Sequence, residues 1–226
     1  MEDLANVIWR ALSGSHRGLS IGTERTRRYS RDFPALFAFD DPRDPDFDSI
    51  AAHCEPNDHL YCTEWRGPAP QGWQVDFDAT VCAMVWKGTA APEVDPSVEI
   101  TQLEESNVDE MRALARTARP GPFAPRPLGL GEWLGVFEDG KLVAMAGERL
   151  KAGRLHEVSG ICTLASHQGR GLARAVTAAM VRRQLERGEI PFLHVMPENA
   201  RARILYERMG FVLDREPPLR VVSRAA

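Results

Sequence analysis

The chain has 226 residues, 43% hydrophobic and 27% charged, with 28 Lys and Arg against 32 Asp and Glu for a net charge of −4. That length holds one large domain or two modest ones. The charge balance argues against a general nucleic-acid binder, which carries a strong basic excess, and no apolar run approaches a membrane span. The opening MEDLANVIWRALSG is acidic and amphipathic, unlike a signal peptide, and four cysteines do not make a disulfide framework. The expectation is a cytoplasmic protein with no nucleic-acid, membrane or metal partner.

In chain order, Asp3 to Leu12 reads as a helix with Leu4, Val7, Ile8 and Leu12 on one side. Residues 16–31 are polar and basic, and RTRRYSR within them reads as a solvated charged face rather than a phosphate or RNA patch. DDPRDPDFDS (40–49) has the Pro and Asp density of a loop leading into a helix, and Val81 to Trp86 is strand-like. Small residues and two prolines near 88–97 mark a linker, dividing the chain into an N-terminal α/β region (1–90) and a C-terminal domain (98–226).

The second half is patterned more sharply. Val98–Leu103 suits a strand and Asn107–Ala118 a helix, and the proline-rich run 119–131 is a loop. Asp139-Gly140 between two apolar runs predicts a hairpin. RLHEVSGICTL is a further strand, Arg170 to Arg187 a long helix stopped by Gly188, and PFLHVM a strand. ENARARILYERM is a helix closed by Gly210, followed by one or two strands. This order predicts an α/β protein of the α+β, mixed-sheet kind, with a right-handed parallel crossover between Leu155 and Met196.

SHQGRGLARAV (166–176) carries the chemistry. A strand leads through Gly169-Arg170-Gly171 into a helix whose first backbone N–H groups lack partners and sit at the positive end of the helix dipole. Bare glycines admit an anion to those donors, and Arg170 and Arg174 stand ready to reinforce a diphosphate seat. A nucleotide P-loop needs a Lys-Ser/Thr pair where Leu172-Ala173 stand, and a dinucleotide fingerprint needs a third glycine and an acid after the next strand. Neither fits.

Gln168-Gly169-Arg170-Gly171-Leu172-Ala173 matches the Gln/Arg-x-x-Gly-x-Gly/Ala loop of the GNAT superfamily of acyl-CoA-dependent N-acyltransferases. Asn199, Ala202, Leu205, Tyr206, Gly210 and Phe211 match the Asn-x-x-Ala-x-x-Leu-Tyr-x-x-x-Gly-Phe run of that family's last helix, without a gap. On these two motifs residues 98–226 resemble a GNAT domain. The first half carries no such signature; a degenerate copy of the same fold packed against the second is compatible with it, and it is expected to bind no second CoA.

The resemblance implies acetyl-CoA as co-substrate and transfer of its acetyl group to an amine by direct attack in a ternary complex. It implies that the pantetheine arm bonds the backbone of Ile161, Cys162 and Thr163, that Gln168 to Ala173 seat the diphosphate, and that Asn199 steadies the arm. Cys162 itself reads as a small buried residue. Asn199 and Tyr206, seven residues apart, nearly share a helix face, and the resemblance makes Tyr206 the acid that protonates the leaving thiolate. A phenol with a pKa near ~10 is protonated at neutral pH, as an acid must be.

A base is needed for the incoming ammonium. The resemblance favours Glu157, which strand alternation puts on the face of Ile161 and opposite His156. Glu148, His156 and His194 compete for the role. The acceptor is the amine of a small molecule or peptide, and Trp133 and the 121–133 segment are placed to shape its choice. A non-catalytic acyl-CoA sensor, an acyltransferase with a longer acyl chain or glycine-like acceptor, and a homodimer stay open. His53, Cys54, His59 and Cys62 offer four zinc-ligand types in ten residues, but without the two separated pairs of a structural site.

Overall fold

The computed structural model describes residues 3–225. Its first helix, α1 (Val7–Ser13), begins at Val7 rather than Asp3 and buries Val7, Ile8 and Leu12 on the expected side, with Leu4 buried in the segment before it. A three-stranded antiparallel meander follows: β1 (Ser20–Gly22), β2 (Thr26–Tyr29) and β3 (Phe37–Phe39). The RTRRYSR run, expected on the surface, instead supplies β2, all of whose residues are buried. Arg28 is held there by Asp58 at 2.6 Å, and the Arg27 guanidinium by Ser20. Burial of these arginines is tolerable because each finds fixed acceptors.

Helix α2 (Phe47–Ala51) starts where Asp46 accepts from the backbone N–H of Ser49. Then come β4 (Leu60–Thr63), β5 (Trp73–Thr80) and β6 (Cys82–Trp86). Beyond the linker lie β7 (Thr101–Gln102), α3 (Val108–Ala118), β8 (Trp133–Glu138) and β9 (Lys141–Ala152). Asp139 and Gly140, both with positive φ (50° and 71°), make the tight turn between β8 and β9. The chain continues with β10 (Leu155–Thr163), α4 (Leu172–Glu186), β11 (Ile190–Val195), α5 (Ala200–Met209), β12 (Phe211–Arg215) and β13 (Pro218–Arg224).

Seven strands form the main sheet in the order β12-β6-β11-β10-β9-β8-β7. Only β10 and β11 run parallel, joined by α4 as the expected crossover. Leu172, Val176, Met180 and Val181 of α4 pack on Val158, Leu193 and Val195 on one face. On the other, α1 and Tyr29 cover Leu150, Leu155 and Phe192, and α3 covers Trp133, Met145 and Cys162.

Pairing crosses the 88–97 linker in both directions. Strand β6, from before the linker, sits between β11 and β12 and runs antiparallel to both. Strand β13, from after it, sits between β4 and β5, again antiparallel to both. Each half therefore completes its sheet with a strand of the other. The two halves also share an element order: helix, three-strand meander, helix, then a strand parallel to the third meander strand. In the first half that parallel contact is the single bridge Leu36–Tyr61.

Candidate active site

The Gly-rich turn leads from β10 into α4. Gly169 and Gly171 have φ of 83° and 81°, a conformation that side-chain-bearing residues avoid, and a Cβ at either would point into open space. No side chain caps α4 at Gly171. The first N–H bonded to the helix is that of Ala175, to the Gly171 carbonyl, so among the described residues the N–H groups of Leu172, Ala173 and Arg174 have no partner. Gln168 lies beside Arg201 at 3.5 Å. Arg170 departs from expectation: its guanidinium is ion-paired with Glu138 at 2.7 Å, and His167 joins the same carboxylate. Among the described residues the exposed Arg174 makes no such pair.

Beside this turn the sheet opens. β10 pairs with β11 only from Leu155 to Glu157, so the backbone of 158–163 has no strand partner on that side. Two register shifts shape the strand. Between Ser159 and Cys162, β10 carries one residue more than β9, and Gly160 takes φ 63° there. Between His156 and Val158 the extra residue is in β9, so Arg149 and Leu150 both oppose Glu157. The shifts break simple alternation. Ile161 packs with the α4 side of the sheet, whereas Glu157 points to the opposite side, toward Arg149 and His194.

The opening leads into a cavity of about 640 Å³, within the usual range for small-molecule sites. One wall is the backbone from Val158 to Ile161 with Val195, Met196, Asn199 and Tyr206. The facing wall comes from the exchanged sheet, with Tyr61 and Thr63 of β4, Asp76 and Phe77 of β5, and Leu219 and Val221 of β13. Arg119 to Pro122 form a rim, which places the proline-rich loop at the site; Trp133 instead lies beneath it, its indole N–H donating to the Pro127 carbonyl.

Tyr206 is 7% exposed and packs edge-on against Phe211. Burial pushes its hydroxyl up to about 12, so the phenol is protonated across the neutral range. Asn199 caps α5, its Oδ1 accepting from the Ala202 N–H at 3.2 Å, which leaves Nδ2 as an available donor. Cys162 is buried against α3, and burial holds its thiol at about 12, an unreactive state. Thr163 Oγ1 is buried without a partner.

Glu157 is not the free carboxylate the sequence suggested. It is fully buried and gripped by Arg149 through two bonds of 2.6 and 2.8 Å, and it holds His194 Nδ1 at 2.7 Å. Burial alone would raise its pKa, but the Arg149 charge and the bonds from Arg149 and His194 prevail and hold it well below the usual carboxylate range. His194 and Arg149 line the cavity; Glu157 stands behind them. Glu148 and His156 lie elsewhere, in a cluster with Glu189 where Lys151 (2.9 Å) and Arg187 (2.5 Å) neutralise Glu148. The orienting arginine was missed in the sequence because the bulge that turns Arg149 toward Glu157 leaves no local signature.

A pH effect follows. A carboxyl held below its unfolded value of 4.5 contributes stability that is fully present above that value and is lost as pH falls through the folded one. Urea midpoints are therefore expected to hold near neutrality and to decline from about pH 5 downward. A midpoint unchanged down to pH 3 would contradict the Arg149–Glu157–His194 geometry.

A family model for FR47-like proteins matches residues 133–219, from β8 into β13. The comparison with curated proteins gave no match. Among solved structures, a GNAT-family acetyltransferase from Novosphingobium aromaticivorans DSM 12444 is 30% identical, with 100% of each chain covered and a TM-score of 0.89. A GCN5-related N-acetyltransferase from Kribbella flavida shares the fold at 19% identity, with 100% of this chain and 97% of that one covered and a TM-score of 0.65. A GCN5-related N-acetyltransferase-like protein from Streptococcus suis 89/1591 does so at 17% identity, covering 97% and 92%, with a TM-score of 0.61. A Gly-rich turn into α4 beside a parted pair of parallel strands, on a fold shared with these acetyltransferases, defines the class. The chain belongs to the GNAT family of acetyltransferases, and its likeness to the Novosphingobium protein runs through both halves.

Proposed function

We propose that the protein is an acetyl-CoA-dependent N-acetyltransferase that acts in a ternary complex. The observation that carries this reading is the convergence of Tyr206 and His194 on one cavity, beside the unpaired backbone of β10. Acetyl-CoA supplies the acetyl thioester. The free N–H groups of Leu172, Ala173 and Arg174 hold its diphosphate, and the backbone of Ile161, Cys162 and Thr163 holds its arm, with Asn199 Nδ2 as a further donor. Two features support the fit: among the described residues β10 has no strand partner on its β11 side beyond Glu157, and a Cβ at Gly169 or Gly171 would meet nothing within 4 Å.

His194 takes the proton of the incoming ammonium. Its Nδ1 is tied to the Glu157 carboxylate, which fixes the ring's orientation and leaves Nε2 as the nitrogen that takes the proton. Arg149 fixes Glu157 in turn, so the carboxylate acts as a positioning residue rather than as the base. Tyr206 gives its proton to the departing thiolate.

Release of free thiol from acetyl-CoA, measured against a panel of amines, tests the reading; binding of CoA without amine-dependent release defeats it. Gly171→Val is expected to weaken CoA binding at least about tenfold, because the new side chain disfavours the positive φ and stands over the free N–H groups. Calorimetric titration checks this, and unchanged affinity would remove the anion seat from the argument.

A further inference from the structure

We infer that the acceptor is a small amine that also bears a carboxylate and an apolar body, the chemistry of an apolar α-amino acid, rather than a polyamine or aminoglycoside. The inference rests on the transferase reading above and on which cavity charges are spoken for. The carboxylate that lines the cavity, Asp76, and the one behind its wall, Glu157, are both engaged by protein donors. Glu157 is held by Arg149 and His194, and Asp76 accepts from His59 at 2.9 Å, Gln74 at 2.9 Å and Ser223 at 3.0 Å. A polycation needs several carboxylates, and among the described residues Asp76 alone lines this cavity.

Arg119 is the opposite case. Arg119 is an exposed residue of the cavity lining, and its side chain makes no hydrogen bond or ion pair among the described residues. It is not on a loose tether: it closes α3 with φ 51° and ψ 60°, its N–H bonds the Ala115 carbonyl, and the rigid Pro120 follows. A left-handed backbone at a non-glycine residue costs free energy, and here it puts a cation at the rim of the site. A guanidinium so placed matches a carboxylate bidentately. Leu36, Tyr61, Phe77, Val81, Leu219 and Val221 supply apolar surface for the rest of the acceptor.

With such an acceptor the reaction balances. The ammonium gives one proton to His194, and the amine nitrogen bonds to the acetyl carbon as the C–S bond breaks. The thiolate takes the Tyr206 proton, and the second amine proton restores the phenol. His194 then passes its proton to solvent, and the products are an N-acetyl amino acid, CoA and one proton.

The test uses the full chain saturated with CoA and titrated calorimetrically with leucine, leucinamide and spermidine, with thiol release from acetyl-CoA measured on the same panel. Leucine is expected to bind about ten- to a hundredfold more tightly than leucinamide, which lacks the charge that Arg119 would meet. Arg119→Met should erase that difference by weakening leucine alone, and Arg119→Lys should restore part of it. Spermidine binding more tightly than leucine, leucinamide matching leucine, or Arg119→Met weakening both equally would each overturn the inference. Leucine binding with the stated preference but releasing no thiol would leave the acceptor class standing and bring down the transferase reading instead.

Discussion

Tyr206→Phe is expected to lower kcat by about 10²-fold or more while the Kd for CoA stays within about twofold. The phenyl ring keeps its packing against Phe211, so the fold and the cofactor seat are untouched. Only the hydroxyl is lost, and with it the proton for the leaving thiolate. Because burial holds that hydroxyl at about 12, the wild-type enzyme should show no fall in kcat from Tyr206 ionisation at any pH below about 10. Steady-state kinetics with a competent amine, beside calorimetry with CoA, check both halves. A variant with wild-type kcat would take the acid role away from Tyr206.

Removing the imidazole should do comparable damage. His194→Ala is expected to lose about 10²-fold or more in kcat/KM, and added imidazole should restore part of it by entering the space left beside Glu157. Glu157→Gln should cost activity in the wild-type background and little more in the His194→Ala background, since residues acting through one another are non-additive. Additive losses would mean that Glu157 works independently. Glu157→Gln also strips Arg149 of its buried counter-charge, so its activity must be read beside a thermal melt, and the double variant Arg149→Met/Glu157→Gln separates the two effects.

The turns and helix ends of the proposed cofactor side were readable in the sequence because their signals are local. Gly169 and Gly171 must adopt a backbone that glycine favours, Asn199 and Gly210 open and close one helix, and Asp139-Gly140 marks one turn. The acceptor side was not readable in the same way. Its wall joins Tyr61, Phe77 and Val221, residues brought together only when β13 slots between β4 and β5. The Glu157–Arg149 pair depends on a bulge, and a one-residue shift reverses which side of a strand a side chain faces. Arg170, a natural phosphate ligand on paper, has Glu138 from a hairpin 32 residues away as its partner. The RTRRYSR run reads as surface because nothing within it foretells Asp58.

The interlocked strands set a schedule for synthesis. As the chain leaves the ribosome, β4 and β5 are made long before residue 218, and until then the slot between them stands open. The early half must wait, with sticky strand edges, for the late half to arrive. Cutting the chain in the 88–97 segment before folding should therefore yield two fragments that aggregate when made apart and regain a common structure when made together.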